Sequence, residues 1–438
     1  MRKLFRNILL FIAAFSMSFS VLADGDAPSV RWWKGNTHTH TWWSDGDSPP
    51  ETISAWYKEH GYNFLVLSDH NIMQQGEKWY SITNPKRRSD QVASAYREYR
   101  ELFPEGWIEE RTVEGEKQVK LKTLEEFRHL FEEPDQFIFV KGEEITDRFH
   151  SHPIHMNGVN TVEYIAPQGG KDIPDTIQNN LDMVKAQSKK YGQPMFVHLN
   201  HPNFYFAQTP EDFFHLEYDE GEGYFEMYNG HSHVANYGND IHQSAERMWD
   251  IVLAKRLGEL KRSVLYGVAV DDAHEYTRWG GEHTNPGRGW IMVRSAWLTP
   301  NKITEAIKRG DYYNSTGVTL KSLDIGENRI DLEIDGEKGV EYTIEFVGTP
   351  RDVNMTPEVR VHPHDHNQVS DHQHSHVKTY SDEIGRVLKT VKGTSAAYQA
   401  TGKEIYVRVR ITSSKAHPNP HQKGDREMAW TQPLVVRL

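Results

Sequence analysis

The stretch Asn36-Thr37-His38-Thr39-His40-Thr41-Trp42-Trp43-Ser44-Asp45 places two imidazoles and a carboxylate close together, directly after an apolar-polar run. In a strand, residues two apart point the same way, so His38 and His40 can bite a single ion, while Asp45, on the loop that follows, reaches a second. Ligand-type side chains recur where later apolar runs end. Asp69 and His70 follow 63–67, and Glu143 and Glu144 follow 137–140, with His152 and His155 just beyond. His201 follows 194–199, a run that itself contains His198, and Asp271, Asp272 and His274 follow 264–270. Collected, His38, His40, Asp45, His70, Glu143, His155, His201, Asp272 and His274 are an inventory for two or three divalent ions bridged by Glu143. Any one of these histidines is more often an ordinary surface or core side chain, but the set, in successive strand-to-loop positions, is not. His152 competes with His155, His198 with His201, and Asp271 with Asp272. Glu144 competes with Glu143 across the strand, since successive residues face opposite sides. Asp69 is placed to orient a ligand by hydrogen bonding, or simply to cap its strand.

The elements that must hold these residues alternate between strand and helix. Ser48-Pro49-Pro50-Glu51 reads as a capping box opening a helix that Gly61 closes. A longer helix from Asp175 carries Ile177, Leu181, Val184 and Tyr191 at helical spacing and stops at Gly192, and another runs through Met248, Ile251, Val252 and Leu257. Strands alternating with helices imply a parallel sheet or barrel, and such folds gather functional groups at the carboxyl ends of their strands. Residues 74–135 are more polar and read as an insertion or lid. From about Leu320 the texture changes to period-two alternation, as in Ile330-Asp331-Leu332-Glu333-Ile334, which predicts a small antiparallel β domain. Between its strands, 362–376 is rich in histidine, a solvated loop or a zinc-capturing one.

The 438-residue chain is long enough for two domains. Its formal net charge of -12 argues against a surface built to neutralise nucleic-acid phosphates. It has no cysteine, so any metal rests on imidazole and carboxylate, ligands that suit zinc, manganese and iron alike. Arg2 and Lys3, the apolar run 8–21 and Val21-Leu22-Ala23 form a secretory signal, 1–23, with no other stretch able to span a bilayer. The expected location is the bacterial periplasm or exterior.

The motifs His38-Thr39-His40, Ser68-Asp69-His70, Gly142-Glu143-Glu144, His155-Met156-Asn157-Gly158, Asn200-His201-Pro202 and Asp271-Asp272-Ala273-His274 together resemble the polymerase and histidinol phosphatase (PHP) family. The resemblance spans roughly residues 32 to 317, with the opening His-x-His, the strand-end Asp-His and the closing Asp-Ala-His its most specific parts. It implies an α/β fold, a distorted (β/α)7 barrel over 24–319, followed by the β domain over 320–438, with a trinuclear centre at one mouth. By the same resemblance His38, His40, Glu143 and Asp272 hold one ion, Glu143, His155 and His201 a second, and Asp45, His70 and His274 a third.

Clustered divalent ions make a bridging hydroxide available and neutralise phosphoryl oxygens, so hydrolysis of a small-molecule phosphate ester, mono- or diester, is the direct expectation. Asp272 or His198 is positioned to protonate the leaving oxygen. Arg148, Arg278 and Arg288 are loop cations near the motifs, and Trp42, Trp43, Tyr205 and Phe206 form either a stacking wall or packing at the rim. Two other readings fit the inventory: a hydrolase of carboxylic esters, amides or lactones, and a non-catalytic periplasmic metal-binding protein.

Overall fold

The strand Arg31–Asn36, which leads into His38 and His40, lies where two sheets meet. The computed structural model describes residues 29–85, 88–361 and 376–437. The predicted signal, 1–23, and residues 362–375 of the histidine-rich segment lie outside the described residues.

Arg31–Asn36 pairs in parallel with Phe64–Leu65, which pairs in parallel with Ile138–Phe139. A second sheet runs in the order Gly142–Phe149, His152–Val159, Phe196–Leu199, Gly223–Asn229, Tyr266–Val270. Single parallel bridges join the two sheets at both ends, Thr39 to Ala273 and His70 to Glu144. They are closed by His40 N–H to Ala273 O at 3.0 Å and Asn71 N–H to Glu144 O at 2.8 Å. Strand pairing therefore passes from Arg31–Asn36 through both sheets and back. The fold is mixed α/β, not the all-parallel arrangement that strand-helix alternation implies. Gly142–Phe149 and His152–Val159 are an antiparallel hairpin, and His152–Val159 is antiparallel to Phe196–Leu199. Only His150 and Ser151 link the hairpin strands, with His150 at φ +52°, far too short a connection for a parallel crossover.

The helix Ile173–Tyr191 starts where Asp172 accepts the Asp175 N–H at 2.8 Å and ends at Gly192, whose φ of +61° suits a residue without a Cβ. It buries Ile177, Leu181 and Val184 in the main core with the strands of the second sheet. The helix Pro50–Glu59 forms without the expected capping box. Ser48 instead donates to Asp47, and the Glu51 carboxylate accepts from Tyr99 and Trp107 of the insertion.

The insertion 74–135 contains a three-stranded antiparallel sheet, Trp79–Ser81, Glu116–Lys120 and Glu110–Val113, as well as the helix Ser89–Leu102. It is fastened to the first loop by Trp42, stacked on Tyr80 at 4.8 Å, and by Trp43, whose indole N–H donates to Lys122 O at 3.0 Å. Both tryptophans are buried, packed between the first loop and the insertion, and both also border the cleft over the strand ends.

Beyond residue 320 the strands are antiparallel, as expected, but the largest group does not stand apart. Arg386–Lys392, Tyr342–Pro350, Glu404–Ala416 and Arg426–Thr431 continue through Tyr312–Ser315 and Trp290–Ser295 into Arg31–Asn36 as one sheet. Fully buried Arg408 ties this sheet to the helix Ala245–Leu253 through Asp250 at 2.7 Å and Glu246 at 2.7 Å. Among the described residues no helix is long and apolar enough to cross a membrane.

Candidate metal centre

Three overlapping groups of ligand-type side chains meet at the strand ends: His40, Asp45, His70 and His274; His38, His40 and Glu144; and His70, Glu144 and His155. Within each, one nitrogen or oxygen per residue lies within 4.8 Å of the others, about the width of a first coordination sphere with ligand bonds near 2.1 Å. His38 Nε2 and His40 Nε2 stand 3.1 Å apart and are each 3.2 Å from Asp272 Oδ1. Glu144 is the hub: imidazole nitrogens of His38, His40, His70, His155 and His201 lie 2.5 to 3.5 Å from its oxygens. Asp45 Oδ1 is 3.2 Å from His274 Nε2 and 3.5 Å from His70 Nε2.

Side chains around this cluster hold it in place. Glu226 accepts from His38 Nδ1 at 2.7 Å, which fixes the ring and leaves Nε2 to face the cluster. Asn200 donates to Glu144 at 2.8 Å, and Asn229 donates to both Glu226 at 2.8 Å and Asp272 at 3.1 Å. Asp69 bonds none of the ligand side chains directly; it accepts from Thr41 N, Ser44 and Gln74 and so ties down the loop that carries Asp45.

The residues present fit divalent cations. Glu144 Oε2 and Asp272 Oδ1 are buried without a hydrogen bond, although imidazole nitrogens stand close by. Buried carboxylate oxygens that face imidazole nitrogens across these distances form a donor set that a cation placed among them would satisfy. Burial alone would push Asp45, Glu144 and Asp272 up, but the surrounding imidazoles hold all three well below the usual carboxylate range. Burial, with His274 and His70 beside it, pulls His40 down to about 3, the neutral form a ligand requires. Burial opposes charge on His38, but Asp272, Glu226 and Glu144 outweigh it and raise it well above the ordinary range.

Of the nine residues expected from the sequence, His38, His40, Asp45, His70, His155, His201, Asp272 and His274 are brought together, and Glu143 is not. Glu144 takes its place. Glu143 shares its strand face with Ile145, which packs in the main core, and accepts the Ile165 N–H at 2.7 Å. Burial pushes Glu143 up to about 8, so it sits there as a neutral acid. Glu144 shares the other face with Thr146, which bonds His70 at 2.6 Å. The remaining alternatives also separate: His152 bonds Ala207 O at 2.9 Å, while Asp271 bonds Tyr57 and the backbone of Arg288 and Gly289. His198, expected as a proton donor, is fully buried, with Nδ1 3.2 Å from Glu226, and is not among the residues lining the cleft. Arg148 is exposed, Arg278 pairs with Asp90, and Arg288 is buried on Gly230 O and Gly280 O, so none of the three faces the cluster.

Sequence reasoning missed Glu226 and His231. A carboxylate inside the otherwise apolar run Tyr224-Phe225-Glu226-Met227 signals a buried partner, and Gly230-His231-Ser232-His233 repeats the His-x-His pattern at another strand end. The cluster opens into a cleft of about 1130 Å³. One wall comes from the insertion, with Lys78, Trp79, Tyr80, Asn84 and Arg88; Phe204, His231 and His233 also line the cleft.

No family model matches the chain, and no curated protein matches it. Among solved structures, a Bacteroides vulgatus protein, described as a two-domain protein containing a predicted PHP-like metal-dependent phosphoesterase, is 12% identical. The match covers 96% of this chain and 100% of that one, with a TM-score of 0.36. A Bifidobacterium adolescentis protein, named as a candidate metal-dependent phosphoesterase, is 14% identical over 57% of this chain and 90% of its own, with a TM-score of 0.24.

Proposed function

We propose that this chain is a metal-dependent phosphoesterase of PHP type that hydrolyses phosphate mono- or diesters at two or three divalent ions, zinc, manganese or iron. One observation carries the reading: three overlapping ligand groups, sharing His40, His70 and Glu144, converge in one cleft. The circuit of strand pairing supports reading 24–319 as a distorted (β/α)7 barrel, with 320–438 as a β domain laid against it. The signal in 1–23 supports export to the periplasm or exterior.

When bound, adjacent divalent ions supply a water-derived nucleophile near neutral pH and neutralise the oxygens of a phosphoryl group. The chain's own residues prepare the site. Glu144 joins the groups that would hold neighbouring ions, with Asp272 beside His38 and His40, and His155 and His201 flanking Glu144. Asp45, His70 and His274 close the side nearest the insertion. Asp272, held ionised among imidazoles, suits a ligand better than a proton donor. Glu226 and Asn229 keep His38 and Asp272 aimed inward. The insertion, with Tyr80 stacked on Trp42, walls the cleft against bulk water. Its volume accommodates a substrate with a sizeable organic group.

The test is turnover of 4-nitrophenyl phosphate, bis(4-nitrophenyl) phosphate and 4-nitrophenyl acetate by the mature chain, with and without a chelator. Chelator-sensitive cleavage of either phosphate ester supports the proposal. Cleavage of the acetate with neither phosphate cleaved favours the carboxylic-ester reading, and no turnover of any of the three favours a metal-binding protein.

A further inference from the structure

We propose that His231 is a further catalytic residue, a neutral imidazole whose Nε2–H donates to a phosphoryl oxygen of the substrate. This rests on the phosphoesterase reading above. His231 follows the strand Gly223–Asn229, a strand end from which none of the nine expected ligands comes. Its ring lines the same cleft as Asp272, His274 and His201 but belongs to none of the three ligand groups.

The backbone pins the residue from both sides. His231 N–H donates to Asn229 Oδ1 at 2.7 Å, and its carbonyl faces His421 Nε2 at 3.1 Å. The ring is bracketed by Phe204 at 5.5 Å, His274 at 5.2 Å and His233 at 5.2 Å, each meeting it edge to face.

The tautomer follows from one contact. The backbone N–H of His233 points at His231 Nδ1 from 3.1 Å, so Nδ1 is an acceptor and carries no proton. A ring that accepts at Nδ1 is neutral, with its proton on Nε2, and presents a single N–H donor. Nδ1 is thereby withdrawn from metal binding. Asn229 belongs to the same short segment: it receives the His231 N–H and also holds Asp272, so the donor and the cluster share one rigid anchor. A donor fixed in this way beside the reacting group stabilises the charge that gathers on the phosphoryl oxygens, with no reorganisation at the moment of reaction. The oxygen of the attacking water forms the new bond to phosphorus while the bond to the leaving oxygen breaks, and the proton that the water gives up is balanced by one that the leaving oxygen takes up from solvent. His231 keeps its proton throughout, since a neutral imidazole is far too weak an acid to surrender it.

The experiment compares wild type with His231→Leu and His231→Gln, all metal-loaded. It reads metal content by elemental analysis, inorganic phosphate binding by calorimetry, and kcat/KM on 4-nitrophenyl phosphate and on an alkyl phosphate. His231→Leu is expected to keep its metal, to bind phosphate about tenfold more weakly, and to lose roughly 10²- to 10³-fold in kcat/KM. The loss should be equal for both leaving groups, and His231→Gln, whose amide can donate, should recover part of it. Loss of an ion in His231→Leu would make the residue a ligand, and a loss confined to the alkyl phosphate would make it a proton donor to the leaving oxygen. Either outcome, or wild-type phosphate affinity and rate, overturns the proposal. If wild type cleaves no phosphate ester, the phosphoesterase reading fails by that result, and phosphate affinity alone decides the role of His231.

Discussion

Replacing Glu144 with Gln keeps the size of the side chain and removes one negative charge from the centre of the cluster. The carboxylate contributes to two of the three ligand groups and stands 2.5 to 3.5 Å from imidazole nitrogens of five histidines. Removing one partner from a buried charge pair leaves the other uncompensated, at about 3–5 kcal/mol. For ions held partly by Glu144 this is roughly a 10²- to 10⁴-fold loss of affinity. The group His40, Asp45, His70 and His274 lacks Glu144 and should keep its ion. Glu144→Gln is therefore expected to retain about one ion per chain after dialysis and to lose phosphate-ester turnover at least 10²-fold, with its circular dichroism unchanged. Glu143→Gln is the matched control. Burial holds that carboxyl up near 8, so at pH 7 it is already mostly neutral, and an amide replaces it almost isosterically. Wild-type metal content and turnover are expected there. If Glu143→Gln lost metal while Glu144→Gln kept it, the assignment of the two strand faces would be refuted.

Glu226→Gln should lower metal affinity roughly 10- to 100-fold without removing a ligand, because the 2.7 Å contact that orients His38 is weakened; equilibrium dialysis measures it, and unchanged affinity would remove Glu226 from that role. Asp250→Ala leaves Arg408 buried without its main partner and should destabilise the chain by about 3–5 kcal/mol in urea unfolding, whereas a change within 1 kcal/mol would show the link to be dispensable. His417 is buried, and that burial lowers it from 6.5 to about 4. The unfolded chain therefore takes up a proton between those values that the folded chain refuses, so stability is full above pH 6.5 and falls by about 3 kcal/mol towards pH 4. His417→Asn should flatten that part of the stability-pH curve, and an unaltered slope would contradict the assignment.

The strand ends that carry ligands were legible because an apolar run closing on polar, metal-binding side chains is a local pattern, and so were the apolar face of the helix Ile173–Tyr191 and its end at Gly192, whereas the helix starts before the Asp175 that the sequence suggests, because Asp172 accepts the Asp175 N–H and caps it. The choice between Glu143 and Glu144 was decided by parity, and the sequence held the clue in Ile145: an apolar neighbour two residues on marks the core face. Only the Asp-Ala-His match separates Asp271 from Asp272 in the sequence; in the fold, the distant hydroxyls of Tyr57 and Tyr62 and the backbone N–H groups of Arg288 and Gly289 draw Asp271 away. The shared sheet was not legible because pairing of Tyr312–Ser315 with Arg426–Thr431 joins residues more than a hundred positions apart. Exposed, polar Glu110–Val113 lacks the alternation that announces a strand, so the insertion's sheet was missed. Glu51 illustrates a further limit: its spacing fits a capping box, but Tyr99 and Trp107 claim its carboxylate.

The most direct test of the metal-centre account is the number of divalent ions per chain in the purified mature protein, read by elemental analysis before chelation, after it and after reloading, alongside turnover of 4-nitrophenyl phosphate in the same samples. The account predicts two or three ions per chain, with turnover that disappears on chelation and returns with the ions. Fewer than two ions after reloading, or turnover of the phosphate ester that persists in the metal-free protein, would contradict it.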